Sequence, residues 1–288
     1  MADYAHLRGA AIEVGAIISE VQPSLTNIEE NGASLELEGR LGKIGGTCFN
    51  PDVGSAAFCA ILALLETFPR WSRITPWEET QDIYFTAVLP SSTLTGLDEE
   101  SRPVQVRSTV RVSATGELEV IHVVKKKLRR VDLAMQSVDV GACALGTCAT
   151  GGALQPLDAR IALSIEKQVP ADVLPVAVSP DLVRIKQRKR FFLASLGVPK
   201  DCFSFDLTIV YQGRTKSEAE INQRRNENAS FEIECECLAP RDYLRTAGDP
   251  MCLGLSIIVK LLDFVSALNP SSNVTFVPCA QGRRGTMT

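Results

Sequence analysis

The sequence predicts an α+β fold: a closed antiparallel β-barrel of about eight strands, with helices packed outside it. Three observations lead there. Many segments alternate apolar and charged residues at period two, as strands do. Two long apolar stretches have helical character but no place in a βαβ rhythm. The charges on the alternating segments also segregate by sign, with acids on two strands and bases on two or three.

The elements follow in order. Residues 4–21 have apolar positions at helical spacing, and the helix ends near Pro23. "SLELEGRLG", 34–42, is the first acidic strand, with Glu36, Glu38 and Arg40 on one face and Leu35, Leu37 and Leu41 opposite. Pro51 suits the start of a helix over 51–68, and Pro69 closes it; it is apolar around most of its girth. Residues 80–88 read as a strand and 94–103 as a turn. Residues 104–113 and 117–124 form a hairpin about Thr115-Gly116, and the basic run 125–130 continues its second strand. The small-residue stretch 141–152 reads as a surface loop. Strands follow at 159–169, 182–193 and 203–211, then a polar loop over 216–230 and a second acidic strand at 231–237. A second apolar helix spans 251–268. The chain thus divides into a helical segment (1–32), a barrel domain (33–268) and a polar, frayed tail (269–288). Trp71, Trp77 and Phe68 are assigned to the core. The 4–21 helix has two places to go, the barrel or a second copy in a homodimer, and the sequence leaves both open.

Composition narrows the function. The chain has 288 residues and 45% hydrophobic content, enough for a substantial core, and a net charge of −4, so any basic site is local. Nine cysteines without CxxC spacing, and only two histidines, argue against a zinc site and for buried thiols in a reducing compartment. Cys235 and Cys237 share the face away from the glutamates and read as core. Glu13 and Glu20 interrupt the apolar N-terminal stretch, so no signal peptide is expected. No apolar run is read as a membrane span.

The charged faces carry the chemistry. Glu36 and Glu38 lie on the first strand, and Glu232, Glu234 and Glu236 on the last. Arg184, Lys186, Arg188 and Arg190 form a basic row at period two. Arg107 and Arg111 share parity, as do Lys125, Lys127 and Arg129. Apolar helices need the leucine faces of the strands, and a closed barrel then turns the charges inward. Carboxylates crowded together repel, so they take up protons or share a cation. Hard ions such as Mg²⁺ or Mn²⁺ suit carboxylate and phosphate oxygens, and the basic rows call for an anion of several charges. The pattern describes a tunnel for a metal-bound polyphosphate.

At this point the residues resemble a known family. "LELEGRLG" and "FEIECEC" resemble the two glutamate motifs of the fungal, protozoal and viral metal-dependent RNA triphosphatases, which belong to the triphosphate tunnel metalloenzymes. "VRIKQRKRFF" resembles the family's Arg-x-Lys-x-Arg strand and "FDLTIV" its Asp-Leu-Thr strand, while "RVSATG" and "LSIEKQVP" stand in the expected order. The resemblance covers roughly residues 33–240. It implies an RNA 5′-triphosphatase of mRNA capping that uses Mn²⁺ or Mg²⁺. Its substrate would be 5′-triphosphate RNA, its site of action the nucleus (the cytosol for a viral chain), and its product the substrate of a separate mRNA guanylyltransferase. Glu36, Glu38, Glu234 and Glu236 would form the metal site, with Glu232 beside them. Lys186 and Arg188 would hold the γ-phosphate, Arg111 and either Lys125 or Lys127 would reach it from the other wall, and Arg40 and Arg184 would also bind substrate phosphate. Glu166 would position or deprotonate the attacking water, and Asp206 would orient a neighbouring base, supported by Thr208. Where the family has an Arg two residues before that Asp, this chain has Ser204; Arg190 and Arg184 are the cations able to stand in. Two other classes remain open: a tunnel-fold polyphosphatase or thiamine triphosphatase, and a non-catalytic RNA-binding β-domain. A comparison of triphosphate-ended RNA with tripolyphosphate separates the first, and metal-dependent phosphate release the second.

Overall fold

The computed structural model describes residues 5–46, 48–95, 97, 103–113, 115–137, 156–175, 179–194, 201–270 and 273–279. Helices α1 (Arg8–Val21) and α2 (Leu25–Glu30) precede β1 (Ala33–Gly45) and the short β2 (Cys48–Asn50). Then come α3 (Ser55–Thr67), β3 (Arg73–Ile74), β4 (Glu78–Val88), β5 (Pro103–Val112), β6 (Leu118–Ser137) and β7 (Asp158–Gln168). The second half contains β8 (Leu182–Ala194), β9 (Asp201–Gly213), α4 (Lys216–Arg225), β10 (Ser230–Cys237), α5 (Pro240–Ala247), α6 (Pro250–Leu268) and β11 (Val274–Pro278).

Eight strands pair antiparallel in the order β10-β9-β8-β4-β5-β6-β7-β1, and β1 returns to β10, which closes the barrel. The three short strands lie off this ring: β2 on β1, β3 on β8 and β11 on β6. The outward residues Leu37, Leu41, Ile161, Leu163, Leu207 and Ile233 are buried in one apolar cluster with α1, α3 and α6. Cys235 and Cys237 are fully buried in that same layer, as read from the sequence. Burying a large aliphatic side chain stabilises by roughly 1.5–3 kcal/mol, so this layer is what holds the charged strands in a ring.

Helix α6 has 19 residues and a mean hydropathy of 2.0, long and apolar enough to cross a membrane, contrary to the sequence expectation. One face of it is buried between α1 and the barrel: Leu253, Ile257, Ile258, Leu261, Phe264 and Val265 are all buried. Gly39 makes the approach close. A Cβ there would lie 2.6 Å from Leu261 Cδ1 and 3.0 Å from Ile161 Cδ1. Gly39→Ala is therefore expected to overpack the interface and cost about 1–3 kcal/mol. Urea denaturation checks this, and an unchanged midpoint would mean that α6 is not pressed against β1 at this point.

Several sequence expectations are corrected. The segment 216–225, read as loop, is helix α4; Thr215 caps it by accepting from the Glu218 N–H, and Asn226 ends it in the left-handed region. Residues 274–278, assigned to a frayed tail, form β11 with Val274 and Phe276 buried. The helix expected over 51–68 begins only at Ser55, because Asp52 accepts from the Gly54 and Phe231 amides and holds the preceding chain extended. Trp71 packs on Phe191 and Phe205, but Trp77 and Phe68 are exposed rather than core. Helix α1 packs on α6 and on β6, β7 and β11. The loop read at 141–152 lies outside the described residues.

Candidate active site

Residues from seven of the eight ring strands, all but β9, line the bore, a cavity of about 800 Å³. The glutamates of β1 and β10 line one side of it and the basic row of β8 lines another. Arg107 from β5, Lys125 and Lys127 from β6, and Ser164 and Glu166 from β7 complete the wall. The ionic side thus faces inward and the leucines face the helices. Register makes the crowding specific. Glu38 stands directly opposite Glu236 across β1–β10, and Glu234 stands opposite Asp206 across β10–β9. Directly opposed like charges destabilise a sheet, so these pairs depend on neighbouring cations or protons.

Most of the acids do have cations. Arg40 bridges Glu38 and Glu234, at 3.0 Å to each. Lys125 is paired with Glu36 and lies 3.6 Å from Glu38 and 3.7 Å from Glu166. Ser164 donates to Glu36 at 2.8 Å, and Arg107 donates to Glu166 at 3.2 Å. Lys186 meets Asp82 at 2.5 Å, and Asp82 also accepts from the Thr109 hydroxyl at 2.7 Å. Asp206 lies 3.2 Å from Arg188 and 3.6 Å from Arg190. Glu236 has no hydrogen-bond or ion-pair partner among the described residues.

The titration behaviour follows this distribution. Burial pushes Glu234 up, but Arg40, Arg188, Lys186 and Lys125 outweigh it and hold the carboxyl down at about 2. Glu236, buried and surrounded by Glu36, Asp206, Glu234 and Glu38, is pushed up to about 8. Burial opposes the charge on Arg40, yet Glu234 and Glu38 raise it well above its ordinary value. Burial raises Asp206, and Arg188 and Arg190 pull against that. Two carboxyls on one short strand are thereby driven apart by their neighbours.

Among the described residues, no three His, Cys, Asp or Glu side chains form a ready-made cation cage. The reason is visible in the ion pairs: Arg40 and Lys125 draw Glu38, Glu234 and Glu36 to themselves. The donor set nevertheless suits a hard divalent cation, since it is all oxygen and includes an unpartnered, proton-holding Glu236 opposite Glu38. The bore also suits an anion. Nε of Arg107, Arg184 and Arg190 are buried donors without an acceptor among the described residues.

Of the expected site residues, Glu36, Glu38, Arg40, Lys125, Lys127, Glu166, Arg184, Lys186, Arg188, Glu234 and Glu236 meet in the one cavity. Between the two lysines, it is Lys125 that reaches the carboxylates, while Lys127 is exposed nearer an opening. Three placements differ from expectation. Arg111 sits at a rim, 47% exposed and bonded to Glu119 at 2.7 Å, and Arg107 is the β5 cation inside the bore. Glu232 is separated from the other glutamates by its ion pair with Arg184. Arg129 leaves the bore parity because β6 is irregular between Lys127 and Arg129; Arg129 pairs with Glu20 of α1, and Arg130 pairs in register with Ala162. Of the two cations considered for the place of Ser204, it is Arg190 that lies beside Asp206, at 3.6 Å, while Arg184 pairs with Glu232. Sequence reasoning missed Asp82, a lone acid inside "TQDIYF" whose inward parity shows only once β4 is aligned with β8.

The fold and site define a class: a tunnel-like antiparallel barrel with an ionic bore and an apolar, helix-wrapped exterior. Among solved structures, the S. pombe RNA triphosphatase Pct1 in complex with the Spt5 CTD matches with a TM-score of 0.52 at 16% identity, over 87% of this chain and 91% of that one. Pct1 in a further structure matches with a TM-score of 0.48 at 14% identity, covering 89% and 91%. The RNA triphosphatase domain of a trifunctional mimivirus mRNA capping enzyme matches with 0.46 at 13% identity, covering 87% and 98%. The first likeness shows that this chain has the Pct1 fold. No protein-family model and no curated protein sequence matches the chain.

Proposed function

We propose that this chain is a divalent-metal-dependent polynucleotide 5′-triphosphatase. It would remove the γ-phosphate of triphosphate-ended RNA and leave a diphosphate end for a separate guanylyltransferase. The observation that carries the reading is the bore itself, where opposed carboxylates of β1 and β10 and the basic row of β8 share one closed cavity. The fold shared with Pct1, an RNA triphosphatase, supports it.

Glu36, Glu38, Glu234 and Glu236 would hold Mn²⁺ or Mg²⁺, which when bound neutralises phosphate charge. Lys186 and Arg188 hold the γ-phosphate, and Arg40 and Lys125 face it from the acidic side. Asp206 fixes the Arg188 guanidinium, and Arg107 fixes Glu166. Glu166 orients water and takes its proton as the water oxygen bonds to the γ-phosphorus. The bond from the γ-phosphorus to the bridging oxygen breaks, and its electron pair stays on the β-phosphate. Such a reaction needs alignment and charge neutralisation more than covalent help.

The test is γ-phosphate release from triphosphate-ended RNA with Mn²⁺ or Mg²⁺. Release is expected with metal and lost with EDTA or in Glu234→Ala. The pH dependence has a fixed sign. Glu236 holds a proton in the folded chain up to about pH 8, against an ordinary value of 4.5. The stability it contributes to the metal-free chain is therefore lost as pH rises through about 8, and cation affinity climbs over the same window as the proton is displaced. Release that ignores the chelator would refute the proposal.

A further inference from the structure

The two ends of the bore differ in chemistry. At one rim Arg111 is spent on Glu119, and Glu78 adds a second exposed acid. At the other, Lys127, Arg130 and Arg160 line the cavity together with an aromatic ring, Phe49. The only acid bonded to Arg160 among the described residues is Asp132, which accepts a two-pronged contact at 2.6 and 2.9 Å.

Phe49 is placed there by the chain's local construction. Strand β2 folds back on β1, with Phe49 opposite Ile44. Gly42, on the inward parity of β1, leaves room for the ring; a Cβ there would lie 2.7 Å from Phe49 Cζ and 2.2 Å from the Asn50 carbonyl oxygen. The Arg160 guanidinium lies 4.7 Å from the ring centroid. In register, Arg160 pairs with Arg40, the residue bonded to Glu38 and Glu234. Arg160 and Phe49 therefore stand one strand away from Arg40 and its carboxylates, in the same cavity.

We propose that this aromatic–guanidinium pair marks the RNA-side mouth of the tunnel. The first nucleobase stacks on Phe49 and Arg160 while the 5′-triphosphate reaches inward, and Arg130 holds a backbone phosphate outside. Single-stranded RNA is bound in this way elsewhere, by stacking on aromatic or guanidinium planes beside a basic track. This rests on the triphosphatase reading, and it adds which end the polynucleotide uses and why RNA is distinguished from a bare polyphosphate.

The test compares Phe49→Ala, Phe49→Tyr and Arg130→Glu with the wild type on triphosphate-ended RNA and on inorganic tripolyphosphate, both with Mn²⁺. RNA binding is followed in parallel by fluorescence anisotropy across a salt series. Phe49→Ala is expected to lower kcat/KM for RNA about 5- to 100-fold, with tripolyphosphate hydrolysis unchanged and Phe49→Tyr restoring RNA. Arg130→Glu is expected to weaken RNA binding and to make its log–log salt dependence shallower by about 0.7 per lost phosphate contact. Variants that bind and process RNA like the wild type overturn the proposal, as does an equal loss on both substrates. A wild type inactive on both substrates refutes the triphosphatase reading instead, and the anisotropy still decides whether this rim binds RNA.

Discussion

Glu36→Ala is expected to reduce metal-dependent phosphate release by at least about a hundredfold while the barrel stays folded. A preorganised electrostatic contact at the reacting centre is worth roughly 3 kcal/mol or more in the transition state. Glu36 is placed for that role, half-buried in the bore and held by the Ser164 hydroxyl and Lys125. Its removal does not strand a charge, because Lys125 keeps Glu38 at 3.6 Å and Glu166 at 3.7 Å. The substitution should therefore separate chemistry from stability. Phosphate release, measured beside a thermal melt, decides it: near-wild-type release would remove Glu36 from the site, and a collapsed melt would make its role structural.

Asp82→Ala is expected to do the opposite and unsettle the fold itself. Asp82 is 2% exposed and its partner Lys186 is 7% exposed. Breaking a buried pair by deleting one member costs about 3–5 kcal/mol, because the remaining charge is left without compensation. The Thr109 hydroxyl also loses its acceptor. Burial opposes ionisation of Asp82, but Lys186, Thr109 and Arg107 together hold its carboxyl below the ordinary value. Its contribution to stability is accordingly present above pH 3.8 and lost as the pH falls further. The double variant Asp82→Leu/Lys186→Met should recover most of the stability, since replacing both partners with apolar groups removes the stranded charge. It should not recover phosphate release, since Lys186 is assigned to the γ-phosphate. Urea denaturation of the single and double variants checks this, and a loss below about 1 kcal/mol in Asp82→Ala would show that Lys186 finds another partner.

Much of this architecture is legible in the residues because a strand reports both its faces. Glu36, Glu38 and Arg40 against Leu37 and Leu41 leave two ways to orient β1, and α6 is apolar enough to choose between them. What the sequence conceals has three physical origins. Helix α4 is polar apart from Ala219 and Ile221, so periodicity does not mark it; only the Thr215 and Glu218 capping pair does. Leu128 sits at an irregularity that changes the parity of β6, which pairs Arg129 with Leu163 and turns its guanidinium to Glu20, and no pattern of twos foretells it. Asp82, Arg107 and Phe49 depend on which strands become neighbours, and that information belongs to the assembled barrel. Arg111 shares a face with Arg107 but lies farther along the strand, in a smaller cavity that it lines with Lys186 and Arg188.

The pairing of β1 with β10 has a consequence for how the molecule comes into being. These strands come from opposite ends of the ring-forming chain, Leu37 meeting Cys237, so their ladder is the most distant contact to zip and the loop it closes is the longest. That seam is also where Glu38 faces Glu236. The last weld in assembly and the carboxylates proposed to grip a cation are one and the same stitch, so an ion captured there would act as a rivet, favouring the finished ring by mass action. Folding and catalytic competence would then be completed in a single event.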